Sequence, residues 1–94
     1  MVALTEDTAF HGVVEVLIEV RPDLAEHRDR ITRDTGLFYG EDPSRPALEL
    51  DSMDALELLS ALERHFALEL SDTGVRVVDL RTVGDVVDAI VRAV

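Results

Sequence analysis

Apolar residues recur at Phe10, Val13, Val14, Leu17 and Ile18, the spacing of one face of an α-helix. Thr5 or Asp7 can cap the start and Pro22 stands just past the end, so the pattern predicts a first helix over 6–20. The polar stretch 23–33 follows Pro22 and holds the helix formers Leu24, Ala25, Glu26 and Arg28, enough for a turn or two. From Gly36 to Leu50, two glycines, Pro43, Pro46 and the lack of a sustained period predict a long loop. Leu37, Phe38, Leu48 and Leu50 are its anchors to the core. The clearest period lies in 52–66. On a helical wheel Ala55, Leu58, Leu59, Leu62 and Phe66 share one arc, the core face of an amphipathic helix. Met53 and Leu56 fall toward the opposite side, beside Glu57, Ser60, Glu63 and Arg64, so this helix carries an exposed acidic strip with apolar spots in it. The stretch 75–80 is β-rich by propensity but too short and isolated to build a sheet, and is read as a short helix. Thr82 with Asp85 three residues on resembles a capping box. Val83, Val86, Val87, Ile90, Val91 and Val94 then give the series of a last amphipathic helix, in which the period overrides valine's β preference. The sum is an all-α fold, a four-helix bundle of three main helices and one short one, with a long first loop and one aliphatic core. No internal repeat or low-complexity tract interrupts it.

Length and composition narrow what such a bundle can do. With 94 residues, 1–94 reads as one domain that buries about 60 to 65% of its unfolded surface. Its core is small, and a deep water-excluding active site is hard to build in it. The chain has no cysteine, which removes disulfides, thiolate metal sites and thiol catalysis and fits a reducing cytoplasm. Hydrophobic residues make up 47% of it, too many for disorder. No apolar run approaches about 18 residues, and 1–7 lacks the basic region of a secretory signal, so the expectation is a cytoplasmic protein that does not span a membrane. Twenty acids against nine arginines give a formal net charge of -11. Such a surface is repelled by phosphate backbones and anionic lipid heads, which excludes nucleic acid and membrane surface as partners and favours basic proteins. The chain is expected to be a monomer on its own. Within 47–72, seven acids (Glu49, Asp51, Asp54, Glu57, Glu63, Glu69, Asp72) face the single base Arg64, while Arg21, Arg28, Arg30 and Arg33 gather upstream.

Enzymatic chemistry finds little to work with. His11, His27 and His65 are scattered with no i, i+4 pair, so no metal site is expected. There is no glycine-rich phosphate loop. Counted from Asp51, Met53 and Ala55 stand where an EF-hand needs oxygen ligands. Ser52 lacks the flanking glycines of a nucleophile elbow and has no local histidine as its base. What Ser52 has is position, at the start of the longest helix, where free N–H groups and the helix dipole favour a phosphate. The plain structural alternative is an ordinary N-cap serine.

The string Leu48-Glu49-Leu50-Asp51-Ser52-Met53-Asp54-Ala55-Leu56-Glu57-Leu58 resembles the modification motif of acyl carrier proteins, in which a helix-start serine follows an acid and precedes an acidic helix. The likeness runs on through Ala61, Leu62, Glu63 and Phe66 to Thr82 and Val83, and back to 31–37. Glu49 stands where that family usually has glycine, Arg64 interrupts a usually acidic strip, and the loop 39–47 is unusual. The resemblance implies a discrete carrier that is no enzyme itself but the substrate of a phosphopantetheinyl transferase. In it 4′-phosphopantetheine from coenzyme A is attached to Ser52, and Asp51 engages the transferase and its magnesium. Met53, Asp54, Leu56, Glu57, Ser60 and Glu63 would form the face that docks on basic patches of ketosynthases and other synthase enzymes. The cargo would be acyl chains of a fatty-acid or polyketide-type pathway. An aminoacyl or D-alanyl-type carrier is the nearest alternative, and an unmodified acidic helical adaptor is the alternative of a different class.

Overall fold

The structure, a computed structural model, describes residues 5–38, 47–70 and 79–93. Helix α1 spans Glu6–Val20 and begins as expected at Thr5, whose Oγ1 accepts the Thr8 N–H at 3.1 Å. Ala9, Val13, Val14, Val16 and Leu17 are all buried, a wider arc than the expected stripe, because α1 packs against both other long helices. Phe10 and Ile18 lie at the margin of the core. The polar stretch that predicts a turn or two is a nine-residue 3-10 helix, Pro22–Arg30, with the proline at its first position and Leu24 as its only buried residue. Its length exceeds the expectation, and Arg28 ties it back to Glu15 of α1.

The expected loop over 36–50 needs a correction. It contains strand β1, Gly36–Phe38, and strand β2, Ala47–Leu50, paired parallel with Gly36 opposite Ala47 and Phe38 opposite Leu50. Three and four residues are too few to show a period of two, and the pairing is set by burial of Leu37 and Leu50, each nearly inaccessible. Leu37 N–H also donates to Arg81 O at 2.9 Å and Val83 N–H to Thr35 O at 2.9 Å, which fastens the start of the last helix to β1.

Helix α2 is Ser52–Phe66 and helix α3 is Val83–Ala93, both within a residue of the sequence expectation. In α3 the Thr82 and Asp85 pair forms both halves of a capping box: Asp85 N–H donates to Thr82 Oγ1 at 3.2 Å, and Thr82 N–H to Asp85 Oδ2 at 3.1 Å. Val83, Val86, Val87 and Ile90 are buried; Val94 lies outside the described residues. So does 75–78 of the short helix expected over 75–80, of which Leu80 is described and buried. Among the described residues four helical segments therefore surround one aliphatic core, and the all-α architecture holds with a two-strand ladder inside its first connection.

Two local features shape the C-terminal end of α2. A Cβ on Gly12 would lie 2.5 Å from Phe66 Cζ, so a side chain there would displace the ring from its seat on α1. Ala67 ends α2 in the left-handed region at φ 53°, a conformation usually given to glycine. Glu63 supports that turn twice, through its carbonyl, which accepts the Ala67 and Leu68 N–H groups, and through Oε2, which accepts the Leu70 N–H at 3.0 Å.

Candidate functional site

The N-terminus of α2 carries the residues singled out by the sequence. Its N-cap is Asp51, not Ser52. Asp51 Oδ1 accepts the Asp54 N–H at 2.8 Å while Asp54 Oδ2 accepts the Asp51 N–H at 3.2 Å, a reciprocal capping box built from two aspartates. The reading of Ser52 as an N-cap serine is thereby corrected. Both residue types are good caps, and the acid at Asp54 selects the residue three before it.

Ser52 is the first helical residue and is exposed. Among the described residues no group hydrogen-bonds its hydroxyl, and neither its N–H nor that of Met53 meets a protein acceptor. A hydroxyl relieved of capping, beside two open amides at the positive end of a 15-residue helix, fits a covalently attached phosphodiester. Asp51 keeps its second carboxylate oxygen, Oδ2, outside the capping box.

The other expected site residues divide into two groups. Met53 and Leu56 are 70% and 65% exposed, the two large hydrophobic side chains left open to solvent among the described residues. Glu57 and Ser60 are exposed beside them, while Ala55, Leu58, Ala61 and Leu62 are buried on the other side of the helix. Leu56, Glu57, Ser60 and Arg64 also line an open groove of about 360 Å³ against Glu19 and Val20 of α1. Asp54 and Glu63 are engaged by the fold. Asp54 closes the capping box and pairs with Arg21 at 3.2 Å, its side chain only 18% exposed; Glu63 holds the C-terminal turn of α2. The arginine contact has no sequence signal, because its partners stand 33 residues apart.

Arg21 caps the C-terminus of α1 and forks onto Asp23, with Nε 3.1 Å from Oδ1 and Nη2 3.2 Å from Oδ2. The fork holds the Asp23 carboxyl below its ordinary range, and the hydrogen bonds that Arg21 donates to Asp23, helped by the one to Asp54, raise its guanidinium above its own. His11, His27 and His65 are exposed, and the described residues hold no group of three potential metal ligands. No helix among them is long and apolar enough to cross a membrane.

The family profile for the phosphopantetheine attachment site matches residues 41–90, more than half of the chain. No match was found among curated proteins or among solved structures. The chain belongs to the phosphopantetheine attachment family, and is a carrier for covalently bound 4′-phosphopantetheine.

Proposed function

We propose that this carrier holds acyl chains for a fatty-acid or polyketide-type synthase, with Ser52 as the attachment residue. The observation that carries the assignment is the state of Ser52, an exposed first-turn hydroxyl with no described partner, next to an N-cap that is already supplied by Asp51. The bound phosphopantetheine supplies a terminal thiol that this cysteine-free chain lacks, and the acyl group travels on it as a thioester. Ser52 Oγ forms a bond to the pantetheine-side phosphorus of coenzyme A as the pyrophosphate bond breaks and adenosine 3′,5′-bisphosphate leaves; the transferase brings the base that removes the Oγ proton. Asp51, whose Oδ1 holds the helix start, would have Oδ2 left to engage the transferase and its magnesium. The open amides of Ser52 and Met53 stabilise the phosphate charge.

Met53, Leu56, Glu57 and Ser60 form the centre of the docking face, with Asp54 at its inner margin and Glu63 at its far end. Two apolar anchors within a charged rim suit brief, electrostatically steered encounters with basic patches on a phosphopantetheinyl transferase, a ketosynthase and other synthase enzymes. An aspartate directly before the serine supports an acyl rather than a peptidyl cargo. In this reading 1–94 is one carrier domain, itself without catalytic activity, a monomer that works in the cytoplasm.

Incubation with coenzyme A, magnesium and a broad-specificity transferase tests the assignment. The expected result is one phosphopantetheinyl mass per chain, located by peptide mapping on Ser52. Modification of another residue removes Ser52 from its role, and no modification at all leaves the unmodified acidic adaptor as the better reading.

A further inference from the structure

We infer that Arg21 is a positioning residue for the modification of Ser52, acting through Asp54. The inference rests on the reading of Ser52 as the attachment residue and adds to it a side chain from a different helix. One oxygen, Asp54 Oδ2, receives both the Asp51 N–H and Arg21 Nη1, each at 3.2 Å. Arg21 itself is held in place by its two bonds to Asp23 at the start of the 3-10 helix. A chain of contacts thus runs from Asp23 through Arg21 and Asp54 to the backbone of Asp51, the residue before Ser52. It anchors the first turn of α2 to the C-terminus of α1. Asp54 can turn toward solvent without this anchor, and the Asp51 N–H then loses its acceptor.

The pair is well placed to influence geometry and poorly placed to influence global stability. Exposed ion pairs contribute little to folding free energy, and Arg21 is one-third exposed. A bidentate guanidinium restricts orientation more than it stabilises. Modification of Ser52 requires its Oγ in line with the phosphate of coenzyme A, and small displacements of a reacting atom cost rate steeply. Loss of Arg21 therefore acts on turnover. Substrate capture responds in the opposite sense, because removing Arg21 makes the α2 start still more negative and more attractive to a basic transferase.

Steady-state loading of Ser52 with coenzyme A and a phosphopantetheinyl transferase, in wild type and Arg21→Ala, separates the two effects. The expected result is a kcat lower by about tenfold with KM for the carrier unchanged or reduced. Arg21→Lys restores part of the loss, since one ammonium group cannot fork onto Asp23 and also reach Asp54. Asp54→Asn keeps an amide oxygen for the Asp51 N–H but removes the charge that Arg21 grips. In that background Arg21→Ala is expected to lower kcat no further. Amide exchange at Asp51 gives a readout that needs no transferase and is expected to be several-fold faster in Arg21→Ala. Wild-type kcat in Arg21→Ala, a loss wholly in KM, additive losses in the double variant, or unchanged Asp51 exchange each overturn the inference. Should wild type itself never load while Asp51 exchange responds to Arg21→Ala, the attachment reading falls and the anchoring of α2 by Arg21 stands.

Discussion

The division of labour between Asp51 and Ser52 governs what substitutions at the helix start do. Because Asp51 carries the cap, Asp51→Ala is expected to cost about 0.5 to 2 kcal/mol of stability, measurable by urea denaturation, and to slow loading. Ser52→Ala removes a hydroxyl with no described partner and is expected to leave stability within about 0.5 kcal/mol of wild type, yet to abolish loading. Ser52→Asp should fold equally well, since an acid in the first turn is favoured by the helix dipole. A Ser52→Asp chain that is folded by circular dichroism and still gains the prosthetic mass would show that the attachment residue lies elsewhere. The sequence held a signal for the true cap: Asp51 and Asp54 stand three apart, the spacing of a reciprocal box, although an aspartate in the return position is less usual than glutamate. The Arg21 to Asp54 contact held none. It depends on how the end of α1 meets the start of α2, which local pattern does not encode.

At the scale of elements, legibility followed length and period. Helix α2 repeats its apolar positions over four turns, so the wheel separates Leu58, buried, from Leu56, exposed. Leu58→Ala is accordingly expected to destabilise by about 2 to 5 kcal/mol, whereas Leu56→Ala leaves thermal unfolding nearly unchanged and weakens docking. Equal losses of stability in the two variants would place Leu56 in the core. The strands β1 and β2 escaped the sequence reading for the opposite reason: each is short, and their parallel partners come from either side of 39–46, outside any local window. The wheel also groups Glu57 with Glu63, but the structure separates them. Glu57 is exposed, while Glu63 Oε2 accepts the Leu70 N–H. Charge reversal by Glu57→Lys is therefore expected to slow loading at unchanged melting temperature. Glu63→Lys should lower the melting temperature as well, by loss of a hydrogen bond to a charged group worth about 1.5 to 3 kcal/mol, less because the carboxylate is partly exposed. A docking test that reverses both charges together confounds the two effects.

For the whole molecule the question is which sign of electrostatics dominates. Ion pairs are present: Arg21 holds Asp23 and Asp54, Arg28 holds Glu15, and Arg33 joins Glu6 of α1 to Asp88 of α3. Salt weakens such pairs, and if they were the main electrostatic contribution the melting temperature would fall as salt is added. The composition argues otherwise. With 20 acids and nine bases, pairing every arginine with one carboxylate would still leave 11 acids uncompensated on a molecule whose Cα radius of gyration is 12.4 Å. The molecule measures 40 × 25 × 20 Å, a few Debye lengths across at about 0.1 M salt, where the screening length is about 10 Å, and about one across at about 0.01 M, where it is about 30 Å. Repulsion among the uncompensated acids is felt across the whole molecule at low ionic strength and is cut back by added salt, while each pair in contact loses only a fraction of an already small contribution. The melting temperature is therefore expected to rise as sodium chloride increases from 0.01 to 0.1 M, and to rise further with magnesium at equal ionic strength. A flat or falling curve over that range would mean that the arginine pairs outweigh the repulsion. The acidic face of α2 would then be electrostatically compensated from within, and would have correspondingly less attraction for a basic enzyme surface.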